Sequence, residues 1–305
     1  MNILITGGLG HIGSHFIDSI NKVKKINKVY IIDNNSNNRI NSFFKFKKKK
    51  VKIIIEDLCN INCFKSIHHK IDIVLHLASI TNAEKSTEDR KNVYNNNFNS
   101  FKNIVNFAQK NKSKFIHISS TSIYGSQDPI MDENCKVLIP QSPYADVKLL
   151  EERYLKKTKD ISFISLRFGT IVGFSQGMRF HTAVNKFCFS AIINSPITVW
   201  ETAIDQFRPY LSIDDAFSSL KFIIEKKYFD NKVHNILSNN YTVRQILSFI
   251  KKFKKRVNIK YTKSKIMNRL SYKVVNQTGL LKKIKLKKEI KSDIKNIFSA
   301  FKGIV

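Results

Sequence analysis

Short β-rich runs alternate with stretches of helical periodicity through the first half of the chain. Runs at residues 2–6, 29–33, 52–55, 72–77, 115–119 and 163–168 predict strands. Between them, amphipathic stretches at 11–24, 60–69, 88–110 and 144–156 are each long enough for a crossover helix onto a parallel sheet. This rhythm predicts an α/β protein with a doubly wound parallel sheet. Ligands of such sheets sit beyond the carboxyl ends of the strands, where the strand order reverses, so the loops after the strands are the place to look for chemistry.

After Phe168 the rhythm becomes irregular. A loop at 173–179 leads to a helix-like stretch at 180–193, a short strand at 197–201 and a helix starting near Asp214. Thr242 and Gln245 have capping-box spacing ahead of an Ile246, Leu247, Ile250 stripe. No internal repeat or low-complexity linker separates the halves, which predicts two lobes packed together. Residues 1–173, with 205–237 returning to them, are expected to form a dinucleotide-binding domain; 174–204 and 238–305 are expected to form a smaller substrate lobe.

The chain has 305 residues, of which 42% are hydrophobic, enough for a core and against disorder, collagen or a small disulfide scaffold. Its net charge of +30 raises nucleic acid, anionic lipid or a phosphorylated substrate as partners without choosing among them. Residues 251–305 hold 18 basic and 2 acidic residues, over half of the excess. Lysine mixes there with Ile, Asn and Phe, as in a general lysine-rich and asparagine-rich bias, and no nucleic-acid reader signature accompanies it. The KFKKKK run at 45–50 reads the same way. No nucleic-acid partner is therefore expected.

The four cysteines, Cys59, Cys63, Cys135 and Cys188, form neither CxxC pairs nor a disulfide framework, which suits a reducing cytoplasm and predicts no metal centre. Met1-Asn2-Ile3 runs straight into a strand without the regions of a secretory signal. The apolar stretch 187–200 is 14 residues long, interrupted by Asn194, Ser195 and Pro196, and too short to span a bilayer.

The first strand leads directly into Thr6-Gly7-Gly8-Leu9-Gly10-His11-Ile12-Gly13, with GxGxxG at Gly8, Gly10 and Gly13. Glycines let the backbone turn tightly and approach a pyrophosphate, which the free amides at the following helix N-terminus stabilise. Asp33 ends the second strand 20 residues beyond Gly13, where a carboxylate accepts hydrogen bonds from an adenosine ribose and repels a 2′-phosphate. The alternative is a glycine turn that only packs helix on strand. The preceding strand, following helix, N-terminal location and acidic residue at the right distance together favour a dinucleotide, NAD over NADP.

Tyr144 and Lys148 share one face of a helix beginning near Pro143. An ammonium beside a phenol stabilises phenolate, so a tyrosine that titrates near ~10 on its own becomes a usable base at neutral pH. Taken alone, YxxxK is a common accident in so lysine-rich a chain. Ser119-Ser120-Thr121-Ser122-Ile123-Tyr124-Gly125 changes the balance, because it leaves the fifth strand at the carboxyl edge and presents a hydroxyl over the same crevice. Ser120 is the candidate to hold the substrate oxygen and share its proton with Tyr144. Ser119 and Ser122 are read as capping or turn residues.

These residues resemble the extended short-chain dehydrogenase/reductase family, in its sugar-nucleotide epimerase/dehydratase branch, over nearly the whole chain. The likeness is carried by TGGLGHIGS, by Asp57-Leu58 after the third strand, by His76-Leu77-Ala78-Ser79 on the fourth, and by Asn97. It implies a Rossmann sheet, Ser120, Tyr144 and Lys148 as the catalytic set, and an NAD site. That site comprises Gly7, Gly10, His11, Ile12, Gly13, Asp33, Asn34, Asp57, Leu58, Leu77, Ala78, Ser79 and Asn97 with Tyr144 and Lys148.

Arg167-Phe168-Gly169-Thr170-Ile171-Val172-Gly173 resembles the family's R-x-x-N-x-x-G segment, with Thr170 in place of the usual Asn. Phe207-Arg208-Pro209-Tyr210-Leu211-Ser212-Ile213-Asp214-Asp215 resembles the segment whose Arg pairs with the sugar nucleotide's diphosphate. Arg208 takes that role by resemblance, and Arg269 in Asn268-Arg269-Leu270 completes a phosphate clamp. Asn185 resembles a substrate-facing Asn at the start of the smaller lobe. The bland alternatives are a surface ion pair of Arg208 with Asp214 or Asp215, and a solvated Arg269 among other basic residues.

Family dehydratases and decarboxylases usually carry Glu, often Asp-Glu, where this chain has Thr121-Ser122. Without that carboxylate, 4,6-dehydration lacks its general acid. The expected reaction is therefore 4-epimerisation of a nucleotide sugar through a 4-keto intermediate. The alternatives are a 4-keto sugar reductase or dehydratase, or, from another class, a silent nucleotide-binding scaffold or a basic RNA or membrane-surface module. The resemblance further implies a homodimer and a role in polysaccharide or surface-glycan precursor formation.

Overall fold

The computed structural model describes residues 1–39, 50–81, 87, 89–125, 130–263 and 271–303. The first half opens with β1 (Asn2–Thr6) and α1 (His11–Asp18), followed by β2 (Lys28–Asp33), β3 (Val51–Ile55) and β4 (Ile73–His76). It continues with α2 (Arg90–Lys110), β5 (Lys114–Ser120), β6 (Ile130–Met131), α3 (Pro143–Lys157) and β7 (Phe163–Phe168). The second half holds β8 (Thr170–Val172), α4 (Ala183–Ile192), β9 (Ile197–Trp200), β10 (Phe207–Ser212), α5 (Ile213–Lys226) and β11 (Val233–Ile236). It ends with β12 (Asn239–Thr242), α6 (Val243–Lys251), β13 (Ile259–Thr262), β14 (Lys273–Val274), α7 (Leu280–Lys283) and α8 (Lys291–Ala300).

Seven parallel strands form the central sheet in the order β3-β2-β1-β4-β5-β7-β11, as the alternation of strand and helix signals predicts. The order reverses between β1 and β4, which places the crevice above Thr6 and His76. Alternate residues along each strand feed opposite layers. Ile3, Ile5 and Ile31 pack with Phe16 and Ile17 of α1 and Leu220 and Ile223 of α5 on one face. Leu4, Tyr30 and Val74 pack with Phe101, Ile104 and Val105 of α2 and Leu155 of α3 on the other. Covering both faces is what an all-parallel sheet requires.

The expected helix at 60–69 is a single 3-10 turn, Ile61–Phe64, opened by the Asn60 side chain accepting from the Asn62 amide at 3.0 Å. A helix there needs Ile61 on its buried face, and Ile61 is 61% exposed. The helix expected at 11–24 stops at Asp18, with a 3-10 turn at Ile20–Lys22 after it. α3 is fixed locally by its sequence, since Ser142 caps the Ala145 amide and Pro143 sits in the first turn, where no hydrogen bond is lost.

The smaller core gathers α4, α6, α8, β9 and β10 around Val184, Phe187, Val199, Tyr210, Ile246, Ile250, Ile294 and Ile297. Thr242 and Gln245 form the capping box their spacing predicts. α8 buries Ile294 and Ile297, so this part of the basic C-terminal stretch is folded into the smaller core. Of the KFKKKK run only Lys50 lies among the described residues. Among the described residues no helix is long and apolar enough to cross a membrane.

Candidate active site

The glycine turn is shaped by contacts that leave no room for side chains. Gly7 has φ of +66°, and a Cβ there would lie 2.6 Å from the Ala78 amide nitrogen, so the turn runs directly against the chain leaving β4. α1 then starts at Gly10 with no side-chain cap and no acidic residue in its first turn. Its first amides, which no intrahelical carbonyl can satisfy, face an anion's natural position. Asp33 ties β2 to this turn: Oδ2 accepts from the Leu9 amide at 3.0 Å and Oδ1 from the Asn35 amide at 2.9 Å. Asn34 donates to Asp57 at 3.3 Å, so Asp33, Asn34 and Asp57 form one group at the ends of β2 and β3.

The loop at 173–179 crosses over the glycine turn, a junction that no local sequence signal announces. His11 is buried and its Nε2 lies 2.8 Å from the Gly173 carbonyl oxygen. The Ser175 hydroxyl donates to the His11 carbonyl at 2.9 Å, and the Gly177 amide donates to Ser14 Oγ at 2.9 Å. A Cβ at Gly177 would collide with the Leu9 and Gly10 carbonyl oxygens, so only glycine fits there. Burial, with Arg179 and Arg39 adding in the same direction, holds the His11 imidazole down to about 3 and neutral.

Two arginines flank the same turn. Burial pushes Arg179 down to about 10, with Tyr144 opposing and Arg39 adding to the fall. Burial also lowers Arg39, and Asp33 opposes that. Among the described residues neither guanidinium forms an ion pair. Cationic groups held this way beside a helix N-terminus suit a diphosphate.

At the carboxyl edge of β5, Ser120 caps the 3-10 turn Thr121–Tyr124, accepting from the Ser122 amide at 3.2 Å and lying 2.8 Å from the Ser122 hydroxyl. The turn packs on α3, and Lys148 Nζ lies 5.9 Å from the centroid of the Tyr144 ring. Lys148 is 3% exposed and donates to Glu151 Oε2 at 2.8 Å, the same oxygen that His117 Nε2 approaches at 2.9 Å. Beside this pair, Arg167 holds Glu152 through two bonds of 2.9 and 2.7 Å, Ser119 donates to Glu152, and Arg167 donates to Tyr124 at 2.8 Å. Ser119 is thus a brace of the ion pair.

The other expected residues are spread around this centre. Leu77, Ala78 and Ser79 leave β4 beside Gly7, with the Leu77 and Ala78 amides donating to Thr6 Oγ1. Asn97 is buried and clamps the Ile80 backbone by bonds of 2.8 and 3.0 Å, so it shapes the loop after β4. Leu58 puts its side chain into the core and Ile12 is half-buried. Thr170 pairs with Tyr210 in the β8-β10-β12 sheet. The Asn185 side chain is committed to the 173–179 loop, accepting from the Gly173 amide at 3.3 Å and donating to the Arg179 carbonyl at 3.1 Å.

Arg208 lies 5.7 Å from the centroid of the Tyr272 ring, and no ion pair to Asp214 or Asp215 forms. Asp214 instead meets His15 and Lys287, and Asp215 accepts from Ser238 and from the Lys287 and Lys288 amides. Arg269 lies outside the described residues.

Sequence reading missed Arg39, Arg179, His117 and Glu151. A signal for the arginines existed: only nine of the 53 basic residues are arginine, so each stands out against the lysine bias. Glu151 shares the helix face of Tyr144 and Lys148 by its spacing. Among the described residues no cluster of His, Cys, Asp and Glu is arranged to hold a metal.

The family model described as "NAD dependent epimerase/dehydratase family" matches residues 3–236. A UDP-glucose 4-epimerase of Yersinia enterocolitica is 30% identical over 184 residues, 57% of this chain and 54% of that enzyme. A dTDP-D-glucose 4,6-dehydratase of Dictyostelium discoideum is 31% identical over 257 residues, 77% of this chain and 57% of that protein. The chain spans about half the length of these curated relatives. The crystal structure of a UDP-glucose 4-epimerase of Thermotoga maritima with UDP-glucose superposes with a TM-score of 0.87 at 21% identity, covering 100% of this chain and 99% of that one, so the two share a fold.

Proposed function

We propose, from the premise that this chain belongs to the NAD-dependent epimerase/dehydratase family, that it is a 4-epimerase of a nucleotide sugar working through a transient 4-keto intermediate. The observation that carries the choice of reaction is the turn after β5. Elimination needs a carboxyl group there as general acid. This turn instead holds Thr121, whose hydroxyl donates to the Phe168 carbonyl at 3.3 Å, and Ser122, bonded to Ser120. The acidic residues of α3 beneath the site, Glu151 and Glu152, are both engaged by cations.

The residues present fit NAD. The glycine turn and the first amides of α1, with Arg39 and Arg179, would hold the pyrophosphate, and Asp33, Asn34 and Asp57 the adenosine side. His11, Ile12, Leu58, Leu77, Ala78, Ser79 and Asn97 shape the walls. When bound, NAD supplies the acceptor and donor of hydride. Tyr144 removes the proton of the sugar 4-hydroxyl, Lys148 stabilises the phenolate, and Ser120 holds the sugar oxygen through its hydroxyl. Once the keto sugar has turned over and its C4 has taken hydride on the other face, the Tyr144 oxygen returns the proton to the 4-oxygen, which gives the other epimer.

Arg208, with its guanidinium over Tyr272 and no carboxylate partner among the described residues, is the candidate for the substrate's diphosphate, joined by Arg269. Thr170, at the end of the larger domain, remains the candidate contact with substrate there, while Asn185, its side chain held by Gly173 and Arg179, supports the 173–179 loop from the smaller lobe. The lobe division at 1–173 with 205–237, against 174–204 with 238–305, is supported by β11 pairing with β7 while β9 pairs with β13, with β10 joining the two parts through β8 and β12. The same reading takes the enzyme as a cytoplasmic homodimer serving surface-glycan precursors, with the groove between α2 and α3, lined by Tyr94, Pro143, Val147 and Leu150, as the dimer face.

The test is to assay purified protein for tightly bound NAD and for interconversion of 4-epimers across UDP-, GDP-, CDP- and dTDP-hexoses. Bound NAD with epimer interconversion is the expected result. Stoichiometric consumption of NADH on a 4-keto sugar, or loss of water from the hexose, would replace epimerase by reductase or dehydratase.

A further inference from the structure

Two adjacent carboxylates lie on the buried face of α3, and only one has an evident structural task. Glu152 closes a two-bond ion pair with Arg167 and accepts from Ser119, which joins α3 to β5 and β7. Glu151 is fully buried and meets Lys148 and His117 through one oxygen, while its Oε1 has no hydrogen-bond partner among the described residues. His117 is itself held through Nδ1 by the Ser165 hydroxyl at 2.8 Å. With burial keeping the ring neutral, Nε2 is the nitrogen that carries the proton and donates to Glu151. The groups around this point come from four elements: Tyr144, Lys148, Glu151 and Glu152 on α3, His117 on β5, His76 on β4, and Arg167 on β7, while Arg179 in the loop after β8 acts on Tyr144. Arg167 is already matched by Glu152, so Glu151 is the charge left to balance Lys148.

We propose that Glu151, oriented by His117, is a positioning residue: it is the counter-ion that keeps the buried Lys148 ammonium charged and anchored beside Tyr144. The proposal rests on the reading of Tyr144 and Lys148 as the reacting pair. An ammonium as enclosed as this one is costly without an opposite charge, and loss of the counter-ion drives the lysine toward its neutral form. A neutral Lys148 no longer stabilises phenolate, so the carboxylate acts on the chemistry through the lysine. Burial alone would raise the Glu151 carboxyl, but Lys148 and His117 bring it down to about 2, so it stays ionised wherever Tyr144 works.

The test compares the pH profile of kcat/KM for 4-epimer interconversion in the wild type, Glu151→Gln and Glu151→Asp. In Glu151→Gln the alkaline limb is expected to move down by at least about one pH unit, with a loss of about tenfold or more near pH 9. Glu151→Asp is expected to recover part of the shift. An unmoved alkaline limb in Glu151→Gln overturns the proposal.

A second arm needs no turnover: thermal unfolding at about pH 8 of Lys148→Met, Glu151→Gln and the double variant. The double variant is expected to be more stable than Lys148→Met, because the single change strands a buried carboxylate and the double change does not. Strictly additive losses overturn the pairing. An inactive wild type without bound NAD would sink the proposed reaction, while this unfolding arm would still decide whether the two charges depend on each other.

Discussion

At the end of the cleft assigned to adenosine, the carboxylates of Asp33, at the end of β2, and Asp57, in the loop after β3, are half-buried and accept hydrogen bonds from backbone amides. At the end assigned to the sugar, the carboxylates of Glu151 and Glu152 lie beneath α3 and each faces a cation. The residue chemistry is shared and the environment differs. A carboxylate at a loop surface retains lone pairs for a ligand's hydroxyls and repels a ligand phosphate, so it acts on which ligand binds. A buried carboxylate is screened little by water, so it sets the charge and position of the side chain beside it. Under the proposed function, the difference separates a region that would govern affinity from one that would govern the rate of the chemical step.

The sharpest way to separate the two regions is Tyr144→Phe, which removes one oxygen from the chemical end. Turnover should fall by about 10²–10⁴-fold while the fold and the NAD content of the purified protein stay unchanged. Retained activity would take Tyr144 out of the mechanism. Arg179→Met keeps the apolar stem but removes the charge between the two ends. NAD affinity should fall by about 10–100-fold, as expected for losing a charge-assisted contact worth roughly 1.5–3 kcal/mol, measured by titration of the apoprotein.

Asp33→Asn should cost about tenfold in NAD affinity, narrow the preference against NADP, and leave kcat at saturating NAD nearly unaltered. A kcat collapse in Asp33→Asn with NAD affinity intact would erase the distinction between the ends.

The smallest effect concerns acid sensitivity beneath the chemical end. Burial, with Lys148 adding, holds the His76 imidazole at about 3 in the folded protein against an ordinary 6.5. Between those values the unfolded chain binds the extra proton and the folded one does not. Stability present above about pH 6.5 is therefore lost as pH falls toward 3. His76→Asn should flatten that decline, narrowing the difference in Tm between pH 8 and pH 5 by a few °C, roughly what 1–2 kcal/mol produces in a chain of this size.

Features whose partners are close in sequence were legible. The glycine turn between β1 and α1, Asp33 at the end of β2, the Ser142-Pro143 start of α3 and the Thr242/Gln245 box each depend on groups a few residues apart, or on a spacing fixed by one βαβ unit. Features made by distant pairing were not. The β8-β10-β12 sheet joins Thr170 to Tyr210 and Tyr210 to Asn239, with strands of three to six residues too short to show an alternation. Asn185 reads from its resemblance as a substrate contact, but its amide is held by Gly173 and Arg179, which only the folded loop brings to it. The stretch at 60–69 has an apolar spacing that reads as helical, but its residues are weak helix formers and Ile61 has no surface to bury against.

The candidate site divides the same way. Ser120, Tyr144 and Lys148 are visible because helical spacing and a strand end place them, while His117 and Glu151 meet only once β5 lies under α3. Arg179 reaches the glycine turn only because Gly177 allows its loop to lie on Leu9 and Gly10.

The most direct measurement follows the hydrogen on the reacting carbon. A nucleotide hexose carrying deuterium at C4 is incubated with the purified protein, without added cofactor, and both epimers are examined by mass spectrometry and NMR. The account predicts that the product epimer retains the deuterium at C4 and that no reduced cofactor is released. Washout of the label into water, or its appearance in free NADH, would contradict it.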